Sequence, residues 1–179
     1  MGTVTITPSA AQDYQGTTQV SQGNLIGWLN RLDMNFAPLT VRYTFKSAKK
    51  LKGITAKIKG TLYGTPDGRF RYALSTSSAY PSEWAKVAEE GGDYLLLHYT
   101  GELKADTTYY LFVTKEAAGN NVYYGGCSAA NVTITGTTAG AGRVYRNGAW
   151  KDLTPKIYRN GAWKDATAKE YSGGWGELS

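Results

Sequence analysis

Between residues 39 and 136, hydrophobic and polar side chains alternate with a period of two, the pattern of strands half-buried against a core. Val41, Tyr43 and Phe45 interleave with Arg42, Thr44 and Lys46, and Ile54, Ala56 and Ile58 interleave with Thr55, Lys57 and Lys59. Phe70, Tyr72 and Leu74 interleave with Arg71 and Ala73, directly after the turn sequence Thr65-Pro66-Asp67-Gly68. Residues 93–99 form a continuous apolar and aromatic run, and residues 108–114 read Thr-Tyr-Tyr-Leu-Phe-Val-Thr, the strongest strand pattern in the chain. Residues 122–124 and 132–135 complete the set. With turn residues between them, these elements predict an all-β domain, an antiparallel jelly-roll-like β-sandwich of roughly eight strands.

The preceding residues, 1–38, read as a separate attachment segment. Residues 3–7 alternate as Thr-Val-Thr-Ile-Thr, residues 8–24 are polar, and residues 25–32 fit a short helix or a strand. Within the sandwich only residues 82–90 resemble a helix, with a capping serine in front. Their two closing acids oppose a helix C-terminus, so a short helix and an ordered loop both stay open. Residues 137–142, Thr-Thr-Ala-Gly-Ala-Gly, read as a linker.

Residues 143–179 repeat themselves. Val144-Tyr145-Arg146-Asn147-Gly148-Ala149-Trp150-Lys151-Asp152 returns as Ile157-Tyr158-Arg159-Asn160-Gly161-Ala162-Trp163-Lys164-Asp165, and a degenerate copy carries Tyr171 and Trp175. Asn-Gly is the strongest short hairpin signal, because both central positions of a type I′ turn need positive φ. Each copy therefore predicts a small β-hairpin with Tyr on one arm and Trp on the other, and the C-terminus an array of short β-hairpin repeats. A lone hairpin is marginal in water, so the array must pack against its own neighbours or against other chains. Tyr145, Trp150, Tyr158, Trp163, Tyr171 and Trp175 are either the core of this array or, in part, exposed stacking platforms for sugars or choline-like groups.

Composition narrows the chemistry. Tyr (14) far outnumbers Phe (4), and there are 22 Gly, which suits strands joined by tight turns. A single cysteine, Cys127, and a single histidine, His98, rule out an intrachain disulfide framework, a cysteine-based zinc site and a histidine-cluster metal site. No metal and no cofactor is expected. His98 lies in a strand pattern far from Cys127 in sequence and reads as a packed or edge-strand residue, while Glu83, Glu89, Glu90 and Asp93 read as a solvated charged face. No catalytic residue is assigned and no enzymatic activity is expected. The first residues lack a basic, then apolar, secretory pattern, and the longest apolar stretch is far short of the ~20 residues that span a bilayer, so the expectation is a soluble chain made in a cytoplasm without membrane insertion.

The net charge is +6, from 20 basic and 14 acidic residues. Lys46, Lys49, Lys50, Lys52, Lys57 and Lys59 lie in a stretch without an acid. They read either as a lysine-protected edge or solvent face, or as a contact face for an acidic protein neighbour or an anionic glycopolymer. Nucleic acid is not expected as a partner, since no recognised module or basic helix accompanies the charge.

One resemblance draws these features together. A sandwich containing Ala105-Asp106-Thr107-Thr108-Tyr109-Tyr110-Leu111-Phe112-Val113, then a small-residue linker, then tandem Tyr-x-Asn-Gly-x-Trp units, resembles structural proteins of tailed bacteriophages and prophages of Gram-positive bacteria. The resemblance implies a non-enzymatic component of the virion surface, made in the host cytoplasm, in contact with other virion proteins of the capsid or tail. It leaves two roles open. One is a tail-tip or fibre-like receptor-binding module holding host cell-surface glycan as a homo-oligomer, with a trimer favoured; Trp84, Tyr80, Tyr123, Trp150 and Trp163 are its candidate stacking rings. The other is a capsid decoration or head-fibre protein acting through protein–protein contact.

Overall fold

The structure is a computed structural model that describes residues 2–20, 25–27, 39–116, 122–138, 143–146, 149–152, 156–159, 161–165, 169–171 and 175–177. The chain divides into two compact units, Thr3–Thr137 and a second made of Thr138–Ser179 with Met1–Gly2.

The larger unit is all-β and antiparallel. Its strands are β1 (Thr3–Ile6), β2 (Ala10–Gln15), β3 (Thr18–Gln19), β4 (Leu25–Gly27), β5 (Leu39–Ser47), β6 (Lys52–Lys59), β7 (Thr61–Tyr63), β8 (Phe70–Ser75), β9 (Ala85–Lys86), β10 (Glu89–Glu90), β11 (Tyr94–Tyr99), β12 (Thr107–Lys115), β13 (Tyr123–Gly125) and β14 (Val132–Thr137). A 3-10 turn, Ala129–Asn131, is the only helical element among the described residues. The first sheet runs β1-β14-β6-β11-β10 and the second β7-β13-β4-β5-β12-β8-β9, with β2 also on β5 and β3 on β2. Four antiparallel pairs nest one inside the next around β8: β1 with β14, β4 with β13, β5 with β12, and β6 with β11.

Alternation decides what faces inward. Val41, Tyr43 and Phe45 on β5 meet Ile54, Ala56 and Ile58 on β6 in one buried cluster, joined by Leu95 and Leu97, Leu111 and Val113, and Val132 and Ile134. Each such side chain removed from water contributes about 1.5–3 kcal/mol. The unbroken apolar run on β12 has its own cause. Leu111 and Val113 face the core, while Phe112 faces the other way and is still fully buried, because Tyr14 and Tyr80 cover it at ring distances of 6.0 Å each.

Two expectations are corrected, the separate N-terminal segment and the number of strands, and two open alternatives are decided. Residues 1–38 are not a separate attachment segment in their described part: β1 closes the first sheet on β14, and β2 lies along β5 from Ala10↔Thr44 to Gln15↔Leu39. The polar stretch becomes strand because the free edge of β5 supplies a hydrogen-bond ladder, which polarity along the chain does not report. Residues 82–90 hold no helix. Val87 is buried and its N–H donates to the Phe70 carbonyl at 3.2 Å, while the Ala88 N–H donates to Leu96 at 2.8 Å, so this segment steps from the second sheet (β9) to the first (β10). Of residues 25–32, Leu25–Gly27 is strand and the rest lies outside the described residues. Short strands such as β3, β7, β9 and β10 raise the number above the eight expected.

In the second unit Thr138 N–H donates to the Gly2 carbonyl at 3.0 Å, and residues 139–142 of the expected linker lie outside the described residues. Three hairpins follow: β15 (Arg143–Arg146) with β16 (Ala149–Asp152), β17 (Lys156–Arg159) with β18 (Ala162–Asp165), and β19 (Lys169–Tyr171) with β20 (Trp175–Glu177). Tyr pairs with Trp in every one: Tyr145↔Trp150, Tyr158↔Trp163 and Tyr171↔Trp175. The third copy is one residue shorter between its Tyr and its Trp, and the pair survives. Gly161 has φ of 79°, the left-handed conformation that the Asn-Gly turn requires.

Candidate functional site

The site forms where two sheet edges stop short together. On β8, β9 pairs only with Arg71 and Tyr72, leaving Ala73–Ser75 without a strand on that side among the described residues. On β11, β10 pairs only with Leu95 and Leu96, leaving Leu97, His98 and Tyr99 similarly open. Tyr72 bridges the gap by donating its phenol to the His98 carbonyl. Burial, and secondarily the phenol of Tyr99, raises the pKa of Tyr72, which keeps it a donor.

The chain from β8 to β9 then builds one wall. Short bonds fix its first turn: Ser77 N–H donates to Ser75 Oγ at 3.0 Å, and Ala79 N–H to Ser77 Oγ at 3.2 Å. Arg42, lying 5.4 Å from the ring centres of both Tyr14 and Tyr110, donates to the Ser78 carbonyl at 3.3 Å. Tyr80 anchors the segment on the second sheet. Its hydroxyl is 3.0 Å from Thr40 Oγ1, which in turn donates to Thr114 Oγ1 at 2.8 Å. Trp84 sits edge-on to Tyr80 at 5.6 Å.

The result is an open groove of about 570 Å³. Tyr72, Tyr80, Trp84 and Tyr99 supply its aromatic surface, Ser75, Ser77 and Ser82 its hydroxyls, and Glu83 its one charge. Such a lining suits a ligand with apolar faces and a hydroxylated rim.

The structure thus brings together two expected rings, Trp84 and Tyr80, although half of Tyr80 is spent on packing. Tyr123 lies elsewhere, stacked on Tyr63 at 4.5 Å and 11° near the β7 edge. Trp150 and Trp163 occupy β16 and β18, with side chains outside the described residues, as are those of Tyr145, Tyr171 and Trp175. Tyr158 is 61% exposed, which places its ring on the surface of the single chain. Sequence reasoning missed Tyr72 and Tyr99. Both sit at inward positions of their strands, and only the short ladders of β9 and β10 turn them into groove lining.

The six lysines do not form one contact face. Lys46 lies on the second sheet, 3.6 Å from Asp106, whereas Lys50 and Lys52 share Glu102 at 2.8 and 2.9 Å. Those two ammonium groups lower the pKa of Glu102. Lys57 and Lys59 lie on the outer face of the first sheet, with Lys57 4.0 Å over the Tyr94 ring, and Lys49 is exposed on the β5–β6 turn. Strand parity and a bend at the turn disperse a run that is contiguous only in sequence.

Four other titratable groups, Glu89, Glu90, His98 and Cys127, have structural partners. Glu90 accepts from the Gly68 and Phe70 N–H groups at 2.9 and 3.1 Å, and Glu89 accepts from the Tyr94 hydroxyl. His98 is exposed, 3.2 Å from Thr55 Oγ1, while Cys127 is buried with its Sγ toward the Tyr124 carbonyl. Among the described residues no group of three or more His, Cys, Asp or Glu could hold a metal ion, and no helix is long and apolar enough to cross a membrane. A scan against protein-family models and a search of curated proteins found no match to this chain.

Proposed function

We propose that the chain is a non-enzymatic adhesion module of a tailed-phage virion surface that holds host cell-surface carbohydrate in the β8–β9 groove. The groove carries this reading. A sugar ring offers apolar C–H faces to Trp84 and Tyr80, and a hydroxyl rim to Ser75, Ser77, Ser82 and Glu83. With no cation in the lining, the ligand class is a neutral or amino sugar. An open groove binds weakly per site, so the working form is a homo-oligomer, with a trimer favoured, that gains strength by multivalency. The virion setting rests on the resemblance of residues 105–113, the linker and the tandem repeats. The nested strand pairs support the jelly-roll-like description.

A second reading, capsid decoration or head fibre, is favoured by the three hairpins, since two-stranded ribbons need neighbours to be stable. Glycan-array and whole-cell binding by the full chain separate the two. The expected result is saccharide binding that falls about tenfold in Trp84→Ala, the equivalent of about 1.4 kcal/mol, with an unchanged unfolding curve. No binding to cells together with saturable binding to capsids would replace adhesion by decoration.

A further inference from the structure

The first two hairpins carry most of the chain's excess charge. Residues 143–165 hold Arg143, Arg146, Lys151, Lys156, Arg159 and Lys164 against Asp152 and Asp165, six minus two, or +4 of the +6 total. The register sorts these charges. Arg143 pairs with Asp152 and Lys156 with Asp165, so those two positions have an acid as register partner. Arg146 pairs with Ala149, Lys151 with Val144, Arg159 with Ala162 and Lys164 with Ile157, so these four have an uncharged residue at their register partner. Because positions alternate between faces, each ribbon has one face that carries the Tyr and Trp positions with a basic and an acidic position, and an opposite face that carries one Arg and one Lys position. The second hairpin repeats the arrangement of the first at every charged position.

The third hairpin departs from it. Lys169 pairs with Glu177, and the opposite face carries Glu170 against Gly176. It keeps the aromatic pair and lacks the two cations, which makes it an internal contrast.

We infer that the Arg–Lys faces of the first two hairpins form a repeated binding surface for a linear anionic cell-surface glycopolymer, one set of anionic groups per hairpin. Charge complementarity and repetition point to a polyanion. The placement of the rings points to its class, because single-stranded nucleic acid is held by aromatic rings interleaved with cations on one surface. Here rings and unmatched cations occupy opposite faces, so the surface suits a polymer of phosphate or carboxylate groups on a sugar or polyol backbone. This site is separate from the groove and rests on its own observation; it shares with the adhesion reading only the cell surface as the source of ligand.

The test uses the full chain with poly(glycerol phosphate), polygalacturonate and an oligo(dT) of matched charge, titrated across salt. Four contacts at a slope of roughly −0.7 per charge give a loss of about 50-fold between 50 and 200 mM salt. The fourfold variant Arg146→Gln/Lys151→Gln/Arg159→Gln/Lys164→Gln should abolish that salt dependence. Arg143→Gln/Lys156→Gln, which removes one charge per hairpin and only from the acid-matched positions, should weaken binding by less than about threefold, and Glu170→Gln should not weaken it. The two polymers distinguish phosphate from carboxylate. Equal binding by the fourfold variant, with its circular dichroism unchanged, would overturn the inference, as would tighter binding of oligo(dT) than of either glycopolymer. Trp84→Ala should leave all these curves in place, which keeps failure here distinct from failure of the groove.

Discussion

Lys115 occupies an inward position on β12, two residues beyond Val113, and its ammonium is 2.9 Å from Asp67 Oδ2 in the turn that launches β8. The two side chains are only 2% and 11% exposed, and neither Asp67 oxygen accepts a well-aligned hydrogen bond. At an effective dielectric of about 20 the attraction is roughly 6 kcal/mol, set against several kcal/mol to dehydrate each ion. The pair therefore adds little net stability, yet removing Lys115 leaves the Asp67 carboxylate charged and unsatisfied in the interior. Lys115→Met should cost about 3–5 kcal/mol, or roughly 6–20 °C in Tm, and Asp67→Leu is the other single variant of the cycle. Lys115→Met/Asp67→Leu should fall within about 2 kcal/mol of the parent, giving a coupling of several kcal/mol in the double-mutant cycle. Urea unfolding followed by far-ultraviolet circular dichroism reads all four proteins. If Lys115→Met alone is as stable as the parent, the ions are solvated and the reasoning fails.

Two further outcomes follow from the interior and the groove wall. Burial first, and the charge of Asp13 second, push the Cys127 thiol up to about 12, against 9.0 for an ordinary thiol. Between those values the unfolded chain has lost a proton that the folded chain retains, so stability must fall as pH rises past about 9; a urea midpoint that stays flat from pH 8 to 11 would contradict this. Tyr80→Phe removes the hydroxyl that meets Thr40 while keeping the ring on Phe112. It should cost about 1 kcal/mol in urea unfolding and leave saccharide affinity within about twofold, whereas Tyr80→Ala should lose both stability and binding.

Much was legible in the chain before folding. Period-two alternation identified the inward residues of β5, β6 and β8, since parity is a local property of extended backbone. The Asn-Gly dipeptides located two hairpin turns for an equally local reason, and the recurring Tyr and Trp fell one on each arm of a hairpin. Partner choice was not legible. That β1 closes on β14 and β2 on β5 depends on which edges are left free after the core packs, and a polar segment such as residues 10–15 becomes strand only because such an edge is waiting. The groove belongs to the same class. Trp84 and Tyr80 were visible as rings, but the cleft beside them exists because β9 and β10 each pair with only two residues, leaving two sheet edges open side by side. The lysine run shows the converse, since neighbours in sequence part company once a turn sends one strand to each sheet. Sequence thus determined which face of each strand is apolar, while the tertiary structure decided which strands meet and where the surface is left concave.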